Sequence, residues 1–251
     1  IKRILAFYKR WYAPNNAILV VAGAITAEQV RPLAKKYYGK IPAQPPVVRN
    51  RAKEPPQKAA REVVLRDKRV RQPSWRRSFL APTLQWGDKT HVYPLEVLSN
   101  ILGGGASSRL NRRLVVENKT AVSSGAYYSG DDRGPGRFVF YASPRGDVTM
   151  DALELAVEAE ITDIIKNGIT ADEVLRAKER MVAEAVYARD SLSGGARALG
   201  AALASGLSVD DVESWPDNIA AVTAKQINEA AKALFDNNRS VTGLLLPARE
   251  S

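Results

Sequence analysis

Pro42, Pro45, Pro46, Pro55 and Pro56 crowd the stretch from Ile41 to Gln57, among Lys, Arg, Asn and Gln. Each proline fixes φ and removes a backbone donor, so this density excludes a helix or a central strand. An extended linker is expected there, and the linker sets a domain boundary. Residues 1–42 then form one piece, 43–60 the linker and 61–251 the larger domain.

Patterns on either side of the linker are local and readable. Ile4, Leu5, Tyr8, Trp11 and Tyr12 recur at helical spacing, and "APNN" ends that helix. "AILVVAG" (17–23) reads as a buried strand. Thr26–Gln29, Thr170–Glu173 and Thr223–Gln226 carry the capping-box pattern, so helices are predicted to start after each threonine. Beyond the linker, "REVVLRD" and "SWRRSFLAP" read as strands. Residues 88–103 and "SSRLNRRLVVEN" read as helices, and "AVSSGAYYSG" and "RFVFYASP" as strands joined by the turn "DDRGPG". Helices are expected at about 149–167, 170–204 (interrupted by Gly194 and Gly195) and 209–215, then from Thr223, with "RSVTGLLLP" closing as a strand. Strands cluster instead of alternating with helices. That argues for an α+β fold, a mostly antiparallel sheet with helices packed on one face, beside a partial first domain.

Composition removes several chemistries. The chain has no cysteine and a single histidine, His91. Thiol catalysis, disulfides and thiolate metal sites are excluded, and a complete catalytic zinc site is not expected from one imidazole. The longest apolar run, Ala17–Ala22, is far short of the ~20 residues of a membrane-spanning helix. Residues 1–80 carry 19 Lys and Arg against 4 Asp and Glu, whereas residues 81–251 carry 18 against 23. Such asymmetry suits a nucleic-acid surface. A basic linker and solvated helix faces produce it equally well, and no nucleic-acid partner is assigned.

Two segments repeat a pattern. "FYKRWYAPNNAILVVAG" (7–23) and "AAKALFDNNRSVTGLLL" (230–246) each combine an amphipathic helix, a double-Asn turn and an apolar strand. The pattern suggests a tandem duplication of which the opening residues are the tail of the first copy.

The segment from "FYKRWYAPNN" through "ITAEQVRPLAKKYYGKIP", the linker and "LGGGASSRLNRRLVVENKTAVSSGAYYS" resemble the pitrilysin/insulinase-type zinc peptidases, in their bacterial processing-peptidase-like branch. The resemblance implies duplicated α+β domains that face each other across a closed chamber. It also implies an H-x-x-E-H zinc motif in the first domain, ahead of the residues present here. This chain would then comprise the end of the zinc-bearing first domain and a second, non-catalytic domain. It would hold no catalytic or metal-ligating residue of its own, with zinc belonging to the upstream domain alone. Active members place an Arg and a Tyr, seven residues apart, after the "SSRL" helix; Val116 and Ser123 occupy those positions. The implied partners are a peptide or unfolded polypeptide and a complementary family subunit, in a homo- or hetero-oligomer. A structural or assembly subunit that has lost catalysis is the alternative. The resemblance is compatible with a periplasmic location, and the compartment stays open.

Individual residues follow from local chemistry. Gly103, Gly104 and Gly105 are expected to supply left-handed or closely packed backbone between two helices, since no P-loop lysine follows them. Ser107 or Ser108 is expected to cap the next helix, and Arg109 to tie it to a carboxylate or carbonyl. Tyr127 and Tyr128 are neighbours on a strand and must point to opposite faces, one into the core and one toward a peptide. Glu154, Glu158 and Asp163 read as a solvated helix face, and His91 as a structural residue.

Overall fold

The structure, a computed structural model, describes residues 1–46, 48–50, 52 and 55–248. Part of the expected linker, Val47, Arg51, Lys53 and Glu54, lies outside the described residues. The described linker residues form neither helix nor strand. The chain divides into two compact units, Ile1–Pro55 with Ala185–Glu213, and Pro56–Glu184 with Ser214–Ser251.

The first unit contains α1 (Lys2–Trp11) and α2 (Ala27–Tyr37). α2 begins at a complete capping box: Gln29 N–H donates to Thr26 Oγ1 and Thr26 N–H donates to Gln29 Oε1. The double-Asn turn Pro14–Asn16 is a short 3₁₀ helix that also holds the linker. Asn15 Nδ2 donates to the Gln44 carbonyl at 2.9 Å, and Gln44 N–H donates back to Asn15 Oδ1 at 3.0 Å. Residues 17–22 form no strand, and Ile18, Leu19 and Val21 are exposed. The expected buried strand is therefore corrected: a strand needs a ladder, and no described segment pairs with this one. No residue of α1 or α2 is buried.

The second unit is built on one sheet. Its strands are β1 (Arg61–Asp67), β2 (Ser74–Ala81), β3 (Ala121–Tyr128), β4 (Gly136–Pro144) and β5 (Ser240–Pro247), in the order β1-β5-β2-β4-β3. β1 pairs parallel with β5, and every other neighbour is antiparallel. Helices α3 (Val92–Gly103), α4 (Met150–Asn167), α5 (Ala171–Ala188), α6 (Gly194–Ser205), α7 (Val209–Glu213), α8 (Trp215–Ala221) and α9 (Ala224–Leu234) complete the chain; α6 and α7 lie in the first unit.

Period-two alternation decides which face of the sheet is covered. Trp75, Arg77, Phe79 and Ala81 of β2 are buried, whereas Arg76 and Leu80 between them are exposed. Phe79, Phe138 and Phe140 meet Phe235, just after α9, at ring separations of 5.1–5.3 Å. Leu95, Leu98 and Leu102 of α3 complete this core. Each such side chain contributes about 1.5–3 kcal/mol through its burial, so the aromatic layer fixes α3 and α9 on that face.

Arg77 shares the buried face. Its Nε donates to Thr242 Oγ1 at 3.0 Å, Nη1 to Glu158 Oε1 at 2.8 Å and Nη2 to Glu154 Oε1 at 2.6 Å. Glu154 and Glu158 are therefore not a solvated face but the counter-charges that let a guanidinium sit inside the sheet–α4 interface. Asp163 departs from the expectation in the same way, since it pairs with Arg109 and Arg113.

Candidate functional site

The turn Gly103–Gly105 places a basic helix against the rest of the second unit. A Cβ on Gly103 would overlap the backbone of Ala126 on β3, so only glycine permits this approach of α3 to the sheet. Gly105 has φ +101°, which opens the turn, and a Cβ on Gly104 would meet the Asn100 carbonyl oxygen at 2.5 Å. The helix that follows is not an ordinary α-helix. Residues Asn111–Glu117 wind as a π-helix, closed by Asn118 N–H donating to the Arg113 carbonyl at 2.8 Å. Such widened turns recur at functional sites.

Ser108 does not cap this helix with its side chain. Its buried hydroxyl has no hydrogen-bond partner, and its carbonyl accepts from Arg112 N–H at 2.9 Å. Arg109 is 7% exposed and donates to the Asp163 carboxylate and, at 3.3 Å, to the Gly168 carbonyl. Arg113 donates to Glu160 at 3.0 Å and Asp163 at 2.9 Å. Hydrogen bonds from Asn167 first, then from Arg113 and Arg109, hold the Asp163 carboxyl below its ordinary range. Burial pushes Glu160 the other way, against the pull of Arg113.

Beside the π-helix lies a cleft of about 370 Å³. Arg109, Arg112 and Val116 line it from one side, and Glu173, Arg176 and Arg180 of α5 from the other. The α5 residues recur at three- and four-residue spacing and so share one helix face. Val116 stands on the wall of the cleft, 59% exposed.

Ser123 is exposed on β3, immediately after a bulge between Ala121 and Ser123. The two tyrosines separate as alternation requires. Tyr128 stacks on Phe138 at 6.2 Å and donates its hydroxyl to the Pro82 carbonyl at 2.5 Å. Burial, with Glu96 and Asp131 nearby, raises the Tyr128 pKa. Tyr127 points to the opposite, uncovered face, 41% exposed, its ring 6.3 Å from that of Tyr141. Gly125 allows Tyr141 to lie against β3, since a Cβ there would meet the Tyr141 hydroxyl at 2.5 Å.

His91 precedes α3, its Nε2 3.7 Å from Asp88 Oδ2. Among the described residues, no group of three or more His, Cys, Asp and Glu is placed to hold a metal ion. With one imidazole and no thiol, the residues of this chain do not fit a peptidase zinc centre.

The sequence profile described as "Peptidase M16 inactive domain" matches residues 1–181. The chain belongs to the peptidase M16 inactive-domain family. It is 27% identical over 195 residues to "Zinc protease PqqE" of Helicobacter pylori, covering 77% of this chain and 43% of that protein. It is 28% identical over 248 residues to "Uncharacterized zinc protease SCO5738" of Streptomyces coelicolor, covering 96% and 52%. The chain thus spans about half the length of the curated relatives it matches. The crystal structure of a protease from Helicobacter pylori superposes with a TM-score of 0.90 at 24% identity, over 98% of this chain and 59% of that one. That likeness establishes the family's α+β fold.

Alternation and glycine chemistry made Tyr127, Tyr128 and Gly103 legible in sequence. The α5 wall of the cleft was missed, because Glu173, Arg176 and Arg180 read as ordinary charges of an amphipathic helix. Their shared face was the available signal.

Proposed function

We propose that this chain is the non-catalytic portion of a zinc metallopeptidase and forms one half of a chamber that encloses a peptide. Residues 1–42 are the tail of the zinc-bearing domain, and zinc belongs to the part of the protein upstream of them. The observation that carries the reading is the inactive-domain match over residues 1–181, on a chain half the length of relatives named zinc proteases. Substrate is a peptide or unfolded polypeptide, with Tyr127 on the uncovered sheet face available to touch it. The parent protein works as an oligomer with a complementary family subunit.

Val116 and Ser123 favour a second reading, an inactive structural or assembly subunit. Neither side chain replaces a guanidinium and a phenol, and a positioned charged donor typically contributes a few kcal/mol to a transition state. The two readings separate in one experiment. The zinc-loaded full-length protein is assayed with a quenched fluorescent peptide, alone and with a family subunit carrying Arg and Tyr seven residues apart. Weak activity alone and restoration by the partner supports the chamber reading. No activity in either case supports the scaffold. Strong activity from a verified monomer refutes complementation between subunits. The 251-residue chain alone is expected to be inactive and to retain no tightly held zinc after dialysis.

A further inference from the structure

We propose that the cleft beside the π-helix binds a carboxylate carried by the enclosed peptide, with Arg180 as the cation that meets it. The inference rests on the chamber reading and adds a preference for acidic groups to it.

The guanidinium groups along the cleft are not equivalent. Arg109 is neutralised from behind by Asp163, with Glu160 and Glu173 at 4.0 and 3.6 Å. Arg112 sits 3.5 Å from Glu117, and Arg176 2.6 Å from Asp172. Glu173 itself accepts from Thr170 N–H and Oγ at the start of α5. Arg180 differs. It donates only to the neutral Asn100, at the backbone carbonyl and at Oδ1, and among the described residues no carboxylate lies within ion-pair distance of it. A half-buried guanidinium without a counter-charge is costly unless something supplies one.

The Nε–H of Arg180 is also buried without a hydrogen-bond acceptor, whereas that of Arg109 faces Glu160 Oε2 at 4.0 Å. Buried donors are almost always satisfied, so Arg180 is the guanidinium whose bonding is least complete along this cleft. A carboxylate supplies both the missing charge and the acceptor oxygens, and guanidinium–carboxylate geometry suits the match. Val116 stands on the wall of the same cleft and offers no competing donor.

The carboxylate can be the peptide's C-terminus or an acidic side chain, and three probes distinguish them. Nonapeptides of Gly, Ala and Ser carry a neutral coumarin label at the N-terminus. One ends in a free carboxylate, one in an amide, and one in an amide with a central Glu. Binding to the 251-residue chain is followed by fluorescence anisotropy. The neutral amide is expected to bind about tenfold more weakly than at least one acidic peptide, the size of one charge-assisted contact. Whichever acidic peptide gains identifies the source. R180Q is expected to abolish the gain and R180K to keep part of it, whereas R76Q, on the uncovered sheet face, leaves it intact. R112Q and R176Q on the cleft wall, each expected to reduce the gain about threefold, serve as second variants should R180Q unfold. Equal binding of all three peptides overturns the carboxylate site while leaving the chamber reading in place. So does a gain that survives R180Q in a folded protein or, only where R180Q unfolds, a gain that survives both R112Q and R176Q. Absence of binding by any peptide counts against both.

Discussion

Trp215 donates its indole N–H to Glu96 Oε1 at 2.9 Å, joining the start of α8 to the middle of α3. Burial pushes the Glu96 carboxyl up from 4.5 to about 7; the Trp215 bond opposes the shift and Asp131 adds to it. Between those two values the folded chain keeps a proton that the unfolded chain has released. This group's contribution is therefore fully present below pH 4.5 and lost as pH rises to 7. The difference amounts to about 3 kcal/mol. Burial and Asp132 raise Asp131 in the same direction. E96Q retains an acceptor for Trp215 without the charge. Urea denaturation is expected to show E96Q more stable than the parent at pH 8 and equal to it near pH 4.5. A parent whose stability rises from pH 5 to pH 7 while E96Q stays flat contradicts this assignment.

Arg77 is the buried cation on which β2, β5 and α4 converge. R77A leaves Glu154 and Glu158 facing each other without it and should cost about 3 kcal/mol in chemical denaturation. The triple variant R77M/E154Q/E158Q removes charge and counter-charge together and should recover most of the loss. Equal destabilisation by the single and triple variants would show that packing, not charge balance, is what Arg77 supplies.

Gly103 and Gly105 make opposite demands on space. G103A forces a methyl group into the β3 backbone at Ala126 and is expected to lower stability by about 3 kcal/mol. G105A meets nothing within 4 Å and suffers only from φ +101°, at about 1 kcal/mol. Urea midpoints in the reverse order would place the tight approach at the wrong glycine.

Residues 17–22 and 240–247 share a sequence pattern but not a hydrogen-bonding state. β5 is paired on both sides, whereas the first segment has no ladder among the described residues. Amide exchange in the 251-residue chain should be at least about a hundredfold faster across 17–22. Equal protection in a verified monomer would mean that the first segment has found a partner within its own chain.

These contrasts mark where sequence was readable. The boxes at Thr26, Thr170 and Thr223 close through atoms three residues apart, so local spacing carries them whole. Alternation likewise separated Tyr127 from Tyr128. Glu154 and Glu158 looked solvated because their partner, Arg77, lies about eighty residues away and is itself hidden in an apolar strand. An arginine at the inward position between Trp75 and Phe79 was the clue. "AILVVAG" failed for a related reason: apolar runs announce a wish for burial, but strand identity belongs to the neighbour. The π-helix at Asn111–Glu117 adds one residue per turn, a change that no periodicity in so short a segment reveals.

The position of β5 between β1 and β2 has a consequence for how the chain comes to be folded. The ladder β2-β4-β3 is made of strands close in sequence and can close early. β1, although first of the five, has no place to dock until the last of them arrives. During synthesis from the N-terminus, β1 therefore waits through the production of α3 to α9 with its ladder N–H and C=O groups unpaired. This late, non-local step is the slow kind of sheet closure, and it defines the interval in which a chaperone has most to protect. A nascent chain stalled before Ser240 is thus not a slightly frayed version of the second unit but a three-stranded sheet with β1 left unpaired.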